Sequence, residues 1–402
     1  MRGGQRGLTR RQLLLGGAVA GLGATAAIAA DSALRRDGAP EEPPALHGPE
    51  AVPFHGTHQA GVVVTPQAHS TYVALDLHVD VGRDDLRRML QVLSDDAARL
   101  TQGRPALADT EPELATVPAR LTVTFGFGPR LVTRVAGEAA VPEWLGPLPA
   151  FAVDRLEDRW SGGDLLLEVA ADDPVTVSHA VRMLTKDSRS FAAVRWVQEG
   201  FRRARGAEPS GTTMRNLFGQ VDGTVNLVPG QPDFDRLVWC TDGWLAGGTG
   251  MVVRRISMDL DGWDRLDRPG REQSVGRRLD TGAPLTGTAE HDEPDFTATN
   301  ALGFPVIAEF AHIRRARSEN PDERFYRRGY NYETPPGPWG PADAGLVFTT
   351  FQADPLAQFV PVQQRLSDLD LLNEWTVPVG SAVFAVPPGC GPDGFVGETL
   401  FG

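Results

Sequence analysis

The chain has 402 residues, 41% of them hydrophobic and 23% charged, which fits a soluble globular protein with room for two domains and excludes a largely disordered one. Its formal net charge of −13 argues against a nucleic-acid partner, because an acidic body repels phosphate backbones.

The first thirty residues hold four arginines and no acid, so the remainder carries 35 basic and 52 acidic residues, a net −17. Thr9-Arg10-Arg11-Gln12-Leu13-Leu14-Leu15 opens an apolar run that continues through small residues to about Ala30. Ala27-Ile28-Ala29 offers an A-x-A cleavage site. Charged start, apolar middle and small-residue end make residues 1–30 a signal peptide, and the paired arginines make it a twin-arginine signal. Retention as a membrane anchor is the alternative, and the glycine and alanine content weakens it. The twin-arginine route carries folded proteins, which suits a cofactor inserted before export. The expected partner is therefore that export machinery. The expected location is secreted, periplasmic or at the cell surface. Residues 31–54, rich in Pro, Glu and Ala, read as a disordered linker.

The body repeats one pattern. Tyr72 to Asp80 alternates as a strand and leads through Asp84-Asp85-Leu86 into a helix with Leu86, Met89, Leu90, Leu93, Ala97 and Leu100 on one face. Asp164 to Val169 reads as a buried strand, then Asp172-Asp173-Pro174 opens a helix bearing Val177, Ala180, Val181 and Leu184, and a strand follows from Phe191 to Val197. In the second half Met251 to Leu260 is the corresponding first strand, followed by Asp264-Arg265-Leu266. Gly345 to Phe351, Ala353-Asp354-Pro355, a helix with Phe359, Val362 and Leu366, and Ser381 to Val386 repeat the rest. Each Asp-Pro pair supplies a carboxylate for the free amides of the first turn and a proline for the first helical position. Two such halves predict an α+β protein with two domains, 55–207 and 208–402, whose antiparallel sheets carry helices on one side. The boundary is expected near Arg203 to Gly211. Cys240 and Cys390 lie far apart, either bridged or as two buried thiols, and nothing has zinc-ligand spacing.

Three segments carry candidate chemistry. Gly219-Gln220-Val221-Asp222-Gly223-Thr224 brackets one carboxylate with glycines, which let backbone approach a flat ligand; the same pattern serves a turn in which Asp222 caps a helix. Glu309-Phe310-Ala311-His312-Ile313-Arg314-Arg315-Ala316 sets one histidine in apolar surroundings, either an iron ligand or a satisfied core histidine. Tyr326-Arg327-Arg328-Gly329-Tyr330-Asn331-Tyr332 offers two arginines to an anion, or a solvated pair on a loop.

Taken in order, these segments resemble the dye-decolourising peroxidase family. GQVDGT matches its distal GxxDG motif, Ala311-His312-Ile313-Arg314 its proximal-histidine segment, and Arg327-Arg328-Gly329-Tyr330 its distal-arginine segment. His58-Gln59-Ala60-Gly61, Trp196 to Phe201, Val252 to Ile256, Trp263-Asp264-Arg265-Leu266 and Gly282-Ala283-Pro284-Leu285 extend the likeness over nearly all of the chain after residue 55. Close relatives often follow the histidine with a polar-Pro-Arg segment, whereas this chain reads Ala316-Arg317-Ser318-Glu319 with Pro321 later.

The resemblance implies two ferredoxin-like domains of the dimeric α+β barrel kind, with one haem b per chain in the C-terminal domain. It implies that His312 ligates the iron, with an acidic residue on its other ring nitrogen: Glu374, with Asp368 and Asp370 as rivals. Asp222 is the expected proton carrier for hydrogen peroxide and Arg327, chosen over Arg328 on the motif, the stabiliser of developing charge. A carboxylate as proton carrier implies best activity in mildly acid solution. Gly223, Thr224, Val225, Arg317 and Arg327 are the expected haem contacts. The implied activity is one-electron oxidation of dyes and other bulky organic reductants at the expense of peroxide. Electrons are expected to leave through aromatics, with Tyr330, Tyr332, Trp263 and Trp339 as candidates. Removal of iron from haem and a non-catalytic haem- or metal-linked binding protein are the rival functions, and a homo-oligomer stays open.

Overall fold

The computed structural model describes residues 46–336 and 342–402. The expected signal segment, the linker up to residue 45 and Trp339 lie outside the described residues. From His47 to Gly402 the chain forms one compact unit. The end of the expected linker belongs to that unit. The amides of Ala119 and Arg120 donate to the carbonyls of Gly48 and Glu50 at 2.8 and 2.7 Å, and Phe54 is buried edge-on to Phe125. Paired carbonyls and a buried ring thus hold a stretch whose composition alone reads as linker.

The first half comprises β1 (His69–Leu77), α1 (Arg83–Leu100), β2 (Thr122–Phe127), β3 (Leu165–Ala171), α2 (Pro174–Ser188) and β4 (Ala192–Phe201). The second comprises β5 (Thr249–Met258), α3 (Leu260–Asp264), α4 (Arg268–Val275), α5 (His312–Ala316), β6 (Tyr326–Arg327), β7 (Tyr330–Thr334), β8 (Asp343–Gln352), α6 (Pro355–Leu369) and β9 (Thr376–Val386). The caps anticipated from sequence are present. Asp173 accepts from Thr176 N at 2.8 Å, and Asp354 from Leu356 N and Ala357 N at 2.8 and 3.0 Å.

The first sheet runs β2-β3-β1-β4, and the second β9-β5-β8 with β7 and β6 beside β8, all antiparallel. Each half is therefore the expected ferredoxin-like arrangement. The sheets join at two narrow seams, the single pairs Phe127↔Ala385 and Phe201↔Asn331, which close the strands into a ring. Alternate side chains point inward. Tyr72, Ala74, Leu166, Trp196, Met251, Val253, Val347, Phe351, Ala382 and Phe384 fill the interior as one buried cluster.

The outer faces differ between halves. In the first, α1 buries the six apolar residues anticipated for it against Val73, Leu75, Leu167 and Val169. In the second, the chain leaving β5 makes only the 5-residue α3 and the 8-residue α4. Asp267 caps α4, Pro269 lies in its first turn and Gly276, at φ +88°, ends it. Proline starts a helix and left-handed glycine stops one, so no long helix forms. The apolar cluster on this side is small: Phe218, Met258, Trp263, Val275 and Leu346. Both cysteines are free thiols, with burial pushing Cys240 up to about 12 and Cys390 to about 11.

Candidate active site

A turn ahead of β5 presents Asp222. Asn216 Oδ1 accepts the amides of Phe218 and Gln220, and Gly219 adopts φ +79°. The chain then returns so that Asp222 N donates to Met214 O at 2.8 Å. Asn216 Nδ2 donates to Asp222 Oδ2 at 3.2 Å, which orients the carboxylate. No helix begins at Asp222, so it is not a cap. Gly223 follows at φ +125°, a conformation that disfavours any side chain there. Thr224 Oγ1 donates to Glu290 Oε1 at 2.9 Å, as Thr213 Oγ1 does at 2.6 Å. Val225 is exposed, and its carbonyl takes a hydrogen bond from Arg327 Nη2 at 2.9 Å.

Arg327 ends β6. Asn226 clamps its backbone from both sides: Arg327 N donates to Asn226 Oδ1 at 2.8 Å, and Asn226 Nδ2 donates to Arg327 O at 2.9 Å. The guanidinium Nη1 stands 3.8 Å from Asp222 Oδ1, with both side chains about a quarter exposed. Arg328, its neighbour, turns into the barrel, where it donates to Val64 O and Gln67 Oε1 and lies 3.9 Å from Glu168. Of the two arginines, Arg327 meets Asp222.

His312 opens α5, and its Nδ1 donates to Asp370 Oδ2 at 2.6 Å. Asp370 is 6% exposed, and its other oxygen accepts from Leu372 N at 3.0 Å, capping the next turn. That corrects the first choice of Glu374 in favour of Asp370. Glu374 lies at the far end of the turn that Asp370 caps, and Asp368 accepts from Gln364 on the exposed side of α6. Burial pulls the His312 pKa down, but the charge and hydrogen bond of Asp370 outweigh it and hold the ring above its ordinary value. The charges of Asp222 and Arg327 also act on this imidazole. A third of the His312 side chain stays accessible, and with Nδ1 engaged its free nitrogen is Nε2.

Half-buried Ile313, Phe348, Leu372 and Trp375 pack on the apolar cluster beside these groups. One free imidazole nitrogen, apolar flanks, and an acid paired with a guanidinium form a donor set that fits haem. Arg317 forms a half-exposed ion pair with Glu293 at 2.5 Å and is not brought to Asp222, Arg327 or His312 by any hydrogen bond or ion pair. Among the aromatics, Trp263 is buried and stacked 4.4 Å from Phe218, Tyr330 is buried against Tyr72, and Tyr332 lies under the Arg255 guanidinium at 4.1 Å.

Asn216 and Asn226 did not stand out in the sequence. Their signal was position alone, each flanking the Gly-rich turn. Arg277, buried and donating to Gly282 O and Glu290 O, was also unforeseen. Burial lowers its pKa, and the nearby Arg327 adds to that.

The chain matches two family models in succession, "Dyp-type peroxidase, N-terminal" over residues 59–202 and "Dyp-type peroxidase, C-terminal" over residues 213–391. A solved structure of a DyP-type peroxidase from Cellulomonas bogoriensis is 56% identical, with a TM-score of 0.86, covering 89% of this chain and 99% of that one. A dye-decolorizing peroxidase from Thermobifida fusca is 38% identical, with 95% of each chain covered. A deferrochelatase from Escherichia coli is 34% identical over 85% of this chain and 84% of its own length.

Proposed function

Because this chain belongs to the Dyp-type peroxidase family and is a haem peroxidase, we propose that His312 is its iron ligand and that Asp222 and Arg327 are its peroxide-handling pair. The cofactor is haem b, which supplies the iron centre where peroxide is reduced and a reserve of oxidising equivalents. Asp370 holds His312 with its proton on Nδ1, so Nε2 is the nitrogen available to a metal, and the carboxylate raises the basicity of the ring.

Cleavage of hydrogen peroxide needs one proton moved from the inner to the outer oxygen. The Asp222 carboxylate takes that proton and returns it, held in orientation by Asn216. The Arg327 guanidinium, held by the Val225 carbonyl on a backbone that Asn226 clamps, offsets negative charge on the departing oxygen. Gly223 keeps the backbone beside Asp222 free of a side chain. The observation that carries the reading is the 3.8 Å pairing of Arg327 with Asp222, in electrostatic reach of an imidazole whose Nε2 is free.

The test is stopped-flow absorption of the haem-loaded protein mixed with peroxide. Asp222→Asn and Arg327→Leu are expected to keep the haem band yet slow its response to peroxide by about 100-fold or more. Parent-like rates in both would remove the distal assignments. Accumulation of metal-free porphyrin would instead favour iron removal, the activity named for the deferrochelatase relative.

We also infer export by the twin-arginine route, on the strength of Arg10-Arg11 and the apolar run behind them. The compact unit begins at His47, so cleavage near Ala29 removes none of it. N-terminal sequencing of protein from the culture medium or cell envelope tests this, and an intact Met1 on cytoplasmic protein would contradict it.

A further inference from the structure

Arg327 sits on a strand too short to fix its own place. β6 has two residues, paired to β8 as Tyr326↔Phe351 and Arg327↔Thr350. Successive side chains alternate, so Arg327 turns to Asp222 and Arg328, next in line, turns into the barrel. Arg328 is fully buried there, as are Tyr72, Glu168 and Thr349 around it.

These four residues close a ring. Arg328 N donates to Thr349 O at 2.8 Å. Thr349 Oγ1 donates to Tyr72 OH at 3.0 Å, and Tyr72 OH donates to Glu168 Oε1 at 3.2 Å. Glu168 Oε1 stands 3.9 Å from Arg328 Nε, which completes the circuit. Arg328 Nε has no hydrogen-bond partner among the described residues, so charge alone holds that last link. The guanidinium also crosses the lumen to the first half. Its Nη1 donates to Val64 O and its Nη2 to Gln67 Oε1 at 2.6 Å. Gln67 Nε2 in turn donates to Arg120 O and Thr122 Oγ1 at 2.8 and 3.0 Å. Arg202, just past β4, donates from Nε to Gly329 O at 2.7 Å.

Apolar side chains in place of a buried ion pair are often neutral or stabilising, so packing alone does not explain this pair in an interior that also holds Ala74, Leu166 and Val347. A buried, hydrogen-bonded network does supply one defined backbone position.

We propose that the buried ring of Arg328, Thr349, Tyr72 and Glu168 positions Arg327 for its work on peroxide, with Arg328 as the central positioning residue. The proposal rests on the reading of Arg327 given above. Arg328 acts from the barrel side of the same backbone that Asn226 clamps. A shift of β6 by about 1 Å would move the guanidinium relative to Asp222 and cost up to about 100-fold in rate. The first half, which holds none of His312, Asp370, Asp222 and Arg327, thereby takes part in the chemistry through Tyr72, Glu168 and Gln67.

The experiment uses the haem-loaded full chain carrying Arg328→Gln or Tyr72→Phe, each alone and combined with Arg327→Leu. Tyr72→Phe removes one hydroxyl from the ring and keeps the test open should Arg328→Gln fail to fold. Stopped-flow absorption follows the haem band after peroxide. An absorption titration with fluoride measures how well the ferric protein holds an anion that a guanidinium stabilises. Arg328→Gln is expected to slow the response to peroxide by about 10–100-fold and Tyr72→Phe by less, and both should weaken fluoride binding. Neither should add to the loss caused by Arg327→Leu, because all three act through one guanidinium. A residue needed only for stability would lower the rate as much with Arg327 absent as with it present. Parent rates and fluoride affinity in both single variants, or losses that multiply with that of Arg327→Leu, overturn the proposal. If Arg327→Leu itself responds to peroxide at the parent rate, the reading of Arg327 falls and this proposal with it. A slow Arg327→Leu beside parent-like Arg328→Gln and Tyr72→Phe overturns this proposal alone.

Discussion

In the first half of the barrel an 18-residue helix lies along the sheet and buries Leu86, Met89, Leu90, Leu93, Ala97 and Leu100. In the second half the equivalent stretch after β5 breaks into helices of 5 and 8 residues, and long loops carry the chain from there to β6. The strand order is the same in both. One copy of the frame is therefore closed by a large apolar core, and the other carries a smaller apolar cluster beside its polar groups. His312, Asp370, Asp222 and Arg327 all belong to the second half. A repeated fold lets stability concentrate in one copy while the other gives up core packing around the site proposed for the haem.

That contrast can be broken by substitutions that should separate stability from chemistry. The largest effect is expected in the first-half core. Leu90 is fully buried, and Leu90→Ala should destabilise the protein by about 2–5 kcal/mol while the folded fraction keeps the parent haem spectrum. Denaturant unfolding followed by absorption measures both, and an altered spectrum with parent stability would reverse the roles assigned to the halves.

Asp370→Asn comes next. Asparagine can still cap the turn at Leu372 and accept from His312, but it removes the negative charge. Haem affinity should fall about 10–100-fold, with unfolding of the apoprotein close to the parent. Unchanged affinity in a competition against apomyoglobin would show that the carboxylate does not support His312.

The smallest effect sharpens the comparison through pH. Asp187 on α2 faces Asp96 on α1, and burial together with that neighbouring carboxyl raises its pKa from 3.8 to about 7. The folded chain therefore holds this proton more tightly than the unfolded chain. Stability from this site is present in acid and lost as pH rises from about 4 to about 7. Asp187→Asn should flatten that part of the thermal stability profile and raise the melting temperature at neutral pH. A profile identical to the parent would show that the pair does not titrate as stated.

Local features of this structure were readable in the sequence and distant ones were not. The Asp173-Pro174 and Asp354-Pro355 caps, the apolar face of α1 and the buried runs of β3 and β8 depend on neighbours a few residues away, and all were anticipated. The seams Phe127↔Ala385 and Phe201↔Asn331 join residues far apart in the chain, so no window of sequence contains them. The short helices after β5 follow from Pro269, Gly270 and Gly276, which interrupt the pattern that the two halves otherwise share. For the site, the motifs singled out His312, Asp222 and Arg327. They favour Glu374 over Asp368 and Asp370, and the structure brings Asp370 to the ring instead, because a few residues of spacing decide which carboxylate a turn aims at it. Asn226 was invisible because its role is to hold the backbone of a residue 101 positions away.

The most direct test of the account is an absorption titration of haemin into apoprotein, run side by side on the parent and His312→Ala. The account predicts a protein-bound haem band that saturates at one haem per chain in the parent and is lost or displaced in the variant. A variant that takes up haem with the parent spectrum and stoichiometry would contradict it, as would a parent that takes up none.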